Sequence, residues 1–356
     1  MSTLLDGMFP HTGDGVVFGA SVAISTDGTS MAVGNPIDNG GSGGPRGSLR
    51  VYTRDGSDWT QQGSRQLFNL QDDLARYVAM SSDGTVVAFT QDGTGSGFSL
   101  VREWDAGFNE WMPRGSVRYT GATTPIKSIS LSGDGTVFAV GHAAQNEVAV
   151  FKWNGVSWAQ RGSALAGDSV GSRFGYSVRL SADGAILAVG AYKQNTDRGT
   201  VRVFRWNGST WTQRGSDING ETAGDWHGRS IALSADGTVL AVGAPGFDSY
   251  RGYVRVFRWV SNAWAQRGAS IEGDAESDGM GRSVALSADG SVVAVGAPHT
   301  GADVSNTGYA RVFTWSNNAW VQRGADAEGD SVSLYGRDLC LSGDGLVLAV
   351  NQNNYN

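Results

Sequence analysis

The chain has 356 residues, of which 17% are charged, and a net charge of −7. It contains no basic run and no stretch of 18 apolar residues, which excludes nucleic acid, an anionic membrane surface and a membrane-spanning helix. The only cysteine is Cys340, so no internal disulfide can form, and residues 1–15 lack the basic and apolar regions of a signal peptide.

A repeat runs through the whole chain. The tetrapeptide Ser-x-Asp-Gly occurs seven times at intervals of 49 to 56 residues, which indicates a repeat architecture. Its glycines are Gly28, Gly84, Gly135, Gly184, Gly237, Gly290 and Gly345. The repeats lie near 18–63, 74–115, 126–162, 173–215, 226–268, 279–324 and 334–350.

One repeat unit shows how each copy should fold. Residues 230–234 alternate in polarity, and Asp236-Gly237 is a hairpin signal followed by the apolar run 239–242. Two further strand patterns follow, at 254–259 and 264–268. Four short antiparallel strands in each of seven repeats are typical of propeller blades. We therefore predict one all-β domain, 1–356, forming a seven-bladed β-propeller of four-stranded antiparallel blades.

The last blade is expected to be incomplete or closed by the N-terminal segment. The seventh repeat supplies two strand patterns, between Arg337 and Val350, and then stops. Residues 1–17 are a possible closure strand, with Ser2–Phe9 pairing with the last blade. The alternative is that the chain is a fragment of a longer array.

The repeat resembles a known family. Phe174-Gly-Tyr-Ser-Val178, followed by Val-Gly-Ala at 189–191, is similar to the FG-GAP repeat of integrin α-chain propellers. Trp-x-Gln-x-Gly, at 211–215 and 264–268, resembles FG-GAP-like repeats of microbial and algal surface proteins. The resemblance implies a β-propeller and an extracellular, cell-surface or particle-surface location. The calcium loop of integrin-type repeats is shortened here to Ser-x-Asp-Gly, so calcium is not expected at those turns.

No catalytic constellation is visible in the sequence. The four histidines lack metal-ligand spacing, and no nucleophile motif or paired acid and base stands out. We therefore expect no enzyme activity and no cofactor. Calcium is a weak alternative, because acidic residues recur in the connections between repeats. The candidate calcium ligands are Asp168, Asp225, Asp274 and Asp278.

A binding face follows from the order of the strands. Turns between strands one and two, and between three and four, fall on one face and are short and uniform. Loops between strands two and three, and between repeats, fall on the other face and vary, which favours binding there. The candidate partner-binding residues on this variable face are Tyr192, Lys193, Asp197, Arg198, Trp226, His227, Phe247, Asp248, Tyr250, Arg251, His299 and Asp303.

These observations predict a non-catalytic scaffold or adhesion module. It would present the variable face to a protein or glycan partner, within a larger assembly. One alternative is a propeller enzyme, a polysaccharide hydrolase or lyase, which would need convergent carboxylates near the central channel. Another alternative is a multivalent lectin with one shallow site per blade. The partner and the oligomeric state are left open by the sequence.

Overall fold

The computed structural model describes residues 19–38, 46–56, 58–67, 73–93, 96–118, 125–299, 307–329 and 334–351. The proposed closure strand within residues 1–17 and the candidate Asp303 lie outside these ranges. The described residues form strands that are short, antiparallel and joined in sequence, as the hairpin signals predict.

The strands follow the repeats in chain order. The first repeat contains β1 (Ser21–Ile24), β2 (Ser30–Asp38), β3 (Arg46–Asp55), β4 (Asp58–Gln61) and β5 (Gln66–Leu67). The second contains β6 (Asp73–Met80), β7 (Val86–Gly93), β8 (Ser96–Asp105) and β9 (Glu110–Arg118). The third contains β10 (Ser128–Leu131), β11 (Val137–His142), β12 (Glu147–Trp153), β13 (Trp158–Gln160) and β14 (Leu165–Ala166).

The later repeats add two short helical turns. The fourth contains β15 (Ser177–Leu180), β16 (Ile186–Ala191), α1 (Gln194–Asp197), β17 (Thr200–Trp206), β18 (Trp211–Gln213) and β19 (Ile218–Asn219). The fifth contains β20 (Ser230–Leu233), β21 (Val239–Ala244), α2 (Phe247–Tyr250), β22 (Tyr253–Val260), β23 (Ala263–Gln266) and β24 (Ile271–Glu272). The sixth contains β25 (Ser283–Leu286), β26 (Val292–Ala297), β27 (Tyr309–Ser316), β28 (Ala319–Gln322) and β29 (Ala327–Glu328), and the seventh contains β30 (Leu339–Leu341) and β31 (Leu348–Val350).

Each of the first six repeats forms one four-stranded antiparallel blade, with its strands in sequence order. In five blades a two-residue strand also pairs with the third strand. The seventh repeat contributes only the two-stranded sheet β30–β31 within the described residues. The all-β propeller of four-stranded blades is therefore confirmed. The count of seven blades is corrected to six complete blades; among the described residues the seventh repeat forms only the two strands that the sequence analysis assigned to it.

The uniform face holds the repeats in a closed ring. The residue after each motif serine donates its backbone N–H to the carbonyl of its counterpart in the next repeat, and Gly343 donates back to Thr26 at 2.7 Å. Within each turn the serine hydroxyl donates to the aspartate at 2.5–2.6 Å. That aspartate also accepts the N–H two residues on, as an Asx-turn does. The turn aspartates are therefore structural.

The apolar core lies between blades. Ile186 and Val201 of the fourth blade pack with Ile231 and Leu240 of the fifth, and the same arrangement recurs around the ring. The glycine of the Val-Gly-Ala strand permits this contact. A Cβ on Gly243 would lie 2.1 Å from the carbonyl oxygen of Gly281 in the next blade. The glycines of the recurring motif therefore set the distance between blades.

Tryptophan and arginine fasten the outer edges of the blades. Trp259 and Trp264 face each other across β22 and β23, with ring centroids 5.3 Å apart. Arg214 of the preceding blade lies 4.5 Å above the Trp259 ring, an attractive cation–π geometry. The indole N–H of Trp264 donates to the Arg214 carbonyl at 3.0 Å. The Trp pairs therefore clamp their hairpins, and the arginines stack between blades.

Candidate functional site

An aromatic cluster lies on the variable face of the fourth and fifth blades. It contains three predicted site residues: Tyr192 is buried, Trp226 is half-buried, and Tyr250 is 44% exposed. Tyr192 and Trp226 have ring centroids 6.2 Å apart, and Trp226 and Tyr250 have centroids 5.2 Å apart. Tyr176, which the sequence analysis did not single out, joins the cluster at 4.5 Å from Tyr192. Edge-to-face pairs of this kind are stabilising.

A guanidinium group lies within this aromatic cluster. Arg229 lies 5.0, 5.1 and 5.3 Å above the rings of Tyr176, Tyr192 and Trp226. Tyr176 and Arg229 each directly precede the innermost strand of their blade, β15 and β20. The cluster therefore begins at the mouth of the central channel and extends outward to Tyr250.

Two left-handed turns present the neighbouring candidates. Residues 195–197 in α1 and 248–250 in α2 all have positive φ, between 46° and 65°. Consecutive left-handed residues other than glycine are costly, so the surrounding contacts must hold them. Lys193 pairs with Asp197 at 3.8 Å, and Arg251 pairs with Asp248 at 3.1 Å. These four candidates therefore neutralise one another on the rim of the variable face.

The other candidates on this face have structural contacts. Phe247 packs on Tyr253 with ring centroids 5.1 Å apart. The backbone carbonyl of Arg198 accepts the N–H of His227 at 3.0 Å. The N–H of His299 donates to the Asp278 carbonyl at 3.0 Å. None of these four candidates joins the aromatic cluster.

His227 belongs to a buried network with Asp225 and Tyr253. The Tyr253 hydroxyl lies 3.3 Å from the His227 Nδ1 and 3.3 Å from an Asp225 oxygen. Burial, together with the Arg255 charge, lowers the pKa of His227 to about 3. A neutral imidazole fully enclosed by protein is placed to support the loop and cannot reach a ligand.

The carboxylates of the four calcium candidates are engaged by other protein groups. Asp168 pairs with Arg202, and Asp274 pairs with Arg311. Asp225 and Asp278 are buried, and each accepts backbone N–H groups of its own loop and a tyrosine hydroxyl. In the part of the chain that the structure describes, no three His, Cys, Asp or Glu side chains converge as a metal site would require.

The central channel contains a second group of candidate side chains, which the sequence analysis missed. The third inner-strand position is alanine or serine in five repeats, Arg179 in the fourth and Cys340 in the seventh. The first position is serine in five repeats, Tyr77 in the second and Asp338 in the seventh. Arg179 is exposed although its strand is innermost, and its charge acts on both Asp338 and Cys340 across the ring. These three side chains therefore face the same channel.

Asp338 is held in the channel wall and is hard to ionise. It accepts the Val22 N–H at 3.1 Å, and its own N–H donates to Asn351 at 2.7 Å. Burial raises the pKa of Asp338 to about 6, against the opposing effects of the Val22 hydrogen bond and the Arg179 charge. Burial and the Asp338 charge also raise the pKa of the Cys340 thiol above its usual value. Perturbed titratable groups beside a charge partner in a cleft are typical of functional sites.

The raised pKa of Asp338 predicts a pH-dependent stability. A carboxyl whose folded-state pKa exceeds its unfolded value stabilises the fold fully below the unfolded pKa, and this contribution is lost as pH rises through the folded one. Between about pH 4 and about pH 8 the wild type should lose about 2 kcal/mol of unfolding free energy relative to Asp338→Asn. Urea titrations of both proteins across that range measure the difference. A constant difference would show that Asp338 ionises normally.

The aligned repeats contain a sequence signal for this channel site. The residue directly before the first inner-strand position is basic in five of the seven repeats. These residues are Arg76, Lys127, Arg229, Arg282 and Arg337. This position lies at the variable-face end of each inner strand. Basic residues therefore recur around the channel mouth, although the protein as a whole is acidic.

Comparison with solved structures shows which proteins share this fold. The periplasmic gluconolactonase of Pseudomonas aeruginosa is 18% identical and aligns over 87% of this chain and 85% of its own, with a TM-score of 0.61. A putative 6-phosphogluconolactonase of Bacteroides fragilis is 14% identical over 91% of this chain and 88% of its own, with a TM-score of 0.63. The hydrazine synthase of Kuenenia stuttgartiensis is 12% identical over 99% of both chains, with a TM-score of 0.61.

These comparisons correct two predictions. The non-catalytic scaffold or adhesion module, and with it the absence of enzyme activity, is contradicted, because neighbours of the same fold and length are named lactonases. No family model and no curated protein matches the chain, so the FG-GAP resemblance is confirmed only as a β-propeller. Identities of 12–18% show the fold alone and assign no reaction. Among the described residues, no helix is long and apolar enough to cross a membrane.

Proposed function

We propose that this protein is a hydrolase that opens a cyclic ester of a sugar acid at the mouth of its central channel. The observation that carries the proposal is Asp338, a channel carboxyl with a raised pKa that faces Arg179. The named activities of two structural neighbours support the reaction class. At the first and third inner-strand positions of the seven repeats Asp338 is the one carboxylate, which disfavours the two-carboxylate chemistry of a polysaccharide hydrolase.

Asp338 and Arg179 have different roles in the proposed reaction. Above its pKa, Asp338 accepts a proton from water as that water attacks the lactone carbonyl carbon. The carbonyl oxygen becomes an oxyanion, which the Arg179 guanidinium stabilises. The ring C–O bond then breaks, and the leaving oxygen takes the proton back from Asp338. The product is a hydroxy acid, and Asp338 returns to its ionised form.

The channel mouth supplies features that suit such a substrate. A sugar ring has an apolar face that packs on aromatic side chains, and Trp226 and Tyr250 lie beside the mouth with part of their surface exposed. The basic residues before the inner strands favour the approach of an acid and the binding of a carboxylate product. We also propose a location outside the cytoplasm, for which the periplasmic neighbour offers support.

A substrate panel tests the proposed reaction. The purified chain should open aldonolactones, including gluconolactone and its 6-phosphate, faster than their spontaneous hydrolysis in a pH-stat. It should release no reducing ends from neutral or acidic polysaccharides. Polysaccharide cleavage without lactone opening would contradict the proposal, as would the absence of both activities.

Trp226→Ala tests the role of the aromatic cluster. Loss of the ring should raise KM for gluconolactone about tenfold while kcat changes less than about threefold, because the ring binds substrate and takes no part in the chemistry. Trp206→Ala, which removes a clamp Trp on the uniform face, is the matched control and should leave KM unchanged. A large fall in kcat for Trp226→Ala would place the reacting atoms at this ring instead.

A further inference from the structure

The flank of the sixth blade that faces the seventh repeat differs from the corresponding flank of each of the first five blades. At five interfaces the strand-four Trp of one repeat donates its indole N–H to a strand-four carbonyl of the preceding repeat, at 2.8–3.1 Å. The acceptor carbonyls belong to Gln62, Arg114, Arg161, Arg214 and Arg267. The corresponding residue of the sixth blade is Arg323, and no Trp among the described residues donates to it.

The glycine that follows each acceptor residue shows the same difference between the sixth blade and the first five. A Cβ added to Gly63, Gly162, Gly215 or Gly268 would lie 2.7–2.9 Å from a Trp of the next repeat, and one on Gly115 would lie 3.4 Å away. A Cβ on Gly324 would meet no described atom within 4 Å. The Trp-shaped space beside Gly324 is therefore empty of described residues.

Arg323 already has the orientation that its counterparts use to receive a Trp. Arg161, Arg214 and Arg267 each donate to the motif glycine carbonyl of the next repeat, at 2.7–2.9 Å, and stack on that repeat's Trp at 4.5–4.8 Å. Arg323 donates to the Gly345 carbonyl at 3.1 Å. The Arg323 guanidinium is thus oriented to stack on a Trp ring, but no ring of the described residues lies above it.

An open cavity of about 120 Å³ occupies this position. We name its lining the open flank: it includes Arg323, Gly324, Asp326, Leu346 and Leu348. Leu346 is 48% exposed there. The inner half of the same interface is closed, because β30 packs against β25 and β26. The open flank therefore continues an interface that already exists.

The strand beside the open flank offers free backbone groups. β31 pairs on one side with β30, and no described strand pairs with its other side. Asn351 donates to the Asp338 carbonyl and Ser342 donates to the Val347 carbonyl, so alternation directs the N–H groups of Leu348 and Val350 to the outer edge. In every complete blade the third strand pairs at this position.

We propose that the open flank binds a Trp-bearing β-hairpin of a partner polypeptide, which supplies strands three and four to the seventh repeat. The hairpin would extend the sheet at β31 and place one indole against the Arg323 carbonyl and guanidinium. All twelve Trp of this chain lie in described residues, and none occurs in residues 1–18 or 352–356. Every Trp within residues 1–356 thus already occupies another position, and the proposed hairpin supplies the indole from outside these residues.

A peptide copied from the chain tests this proposal. Fluorescein-labelled residues 252–268 contain the hairpin of the fifth blade, including Trp264. Anisotropy with the full chain should show saturable binding, and the Trp264→Ala peptide should bind at least about 30-fold more weakly, as for an interface hot spot. Leu346→Asp, a substitution at an exposed position, should weaken binding of the intact peptide without changing the melting temperature appreciably.

Hydrogen exchange on the full chain identifies the occupant. The Leu348 and Val350 amides should exchange fast in the free protein and slow down with the peptide. Slow exchange in the free protein would show that residues of the same chain already cover β31, and would overturn the proposal. Equal binding of both peptides, or no binding of either, would overturn it as well.

Discussion

Replacing Gly243 by alanine should lower the free energy of unfolding by about 3 kcal/mol or more. The added methyl group would lie 2.1 Å from the Gly281 carbonyl oxygen and 2.3 Å from the Ser230 hydroxyl. The carbonyl belongs to packed backbone, and the hydroxyl belongs to an inner strand. To accommodate the methyl group, the fifth and sixth blades would have to separate. Because the core lies between blades, the separation would also loosen apolar contacts along the interface. Urea denaturation of the two proteins measures the loss.

Gly107→Ala is the matched control for that experiment. Gly107 lies in the turn between β8 and β9, has an ordinary φ, and would place a methyl group 3.2 Å from the flexible Asp105 carboxylate. Its stability should change by no more than about 0.5 kcal/mol. Similar losses for the two variants would contradict the claim that the strand glycine sets the distance between blades.

Asp338→Asn should reduce kcat/KM for lactone opening about 10²- to 10⁴-fold, the usual contribution of a general base. An amide cannot accept the proton of the attacking water. The wild-type rate should fall as pH drops through about 6, the pKa of Asp338, because the protonated carboxyl is inactive. The residual rate of the variant should lack that inflection. Initial rates across the pH range, corrected for spontaneous hydrolysis, measure both effects.

Asp344→Asn controls for a general effect of removing a carboxylate from the seventh repeat. Asp344 accepts the Ser342 hydroxyl in the turn on the uniform face, at the other end of the channel wall. Its replacement should leave the pH profile of lactone opening unchanged. A profile that loses its inflection in Asp344→Asn, or keeps it in Asp338→Asn, would remove Asp338 from the mechanism.

The repeat explains why most of the fold could be predicted. Each Ser-x-Asp-Gly turn carries its own hydrogen bonds, so Ser234 and Asp236 fix their hairpin locally and the sequence pattern is sufficient to find it. The Trp pairs are also local, since Trp259 and Trp264 lie on adjacent strands. The number of complete blades could not be predicted from such local signals, because it depends on which strands pair with β31.

The candidate site was only partly predictable for the same physical reason. Variable loops indicated the face on which Tyr192, Trp226 and Tyr250 come together. Arg179 and Asp338 each replace a small residue of the repeat, and either change alone is indistinguishable from drift. Their charges interact only because the ring brings the fourth and seventh inner strands to one channel. Departures from a repeat at inward positions are therefore where a functional site should be sought.

The most direct test of the account is a crystal structure of Asp338→Asn soaked with gluconolactone. The account predicts a lactone at the variable-face mouth of the channel, with its carbonyl oxygen hydrogen-bonded to Arg179 and its carbonyl carbon one water away from residue 338. A lactone bound on another surface, with the channel mouth empty, would contradict it.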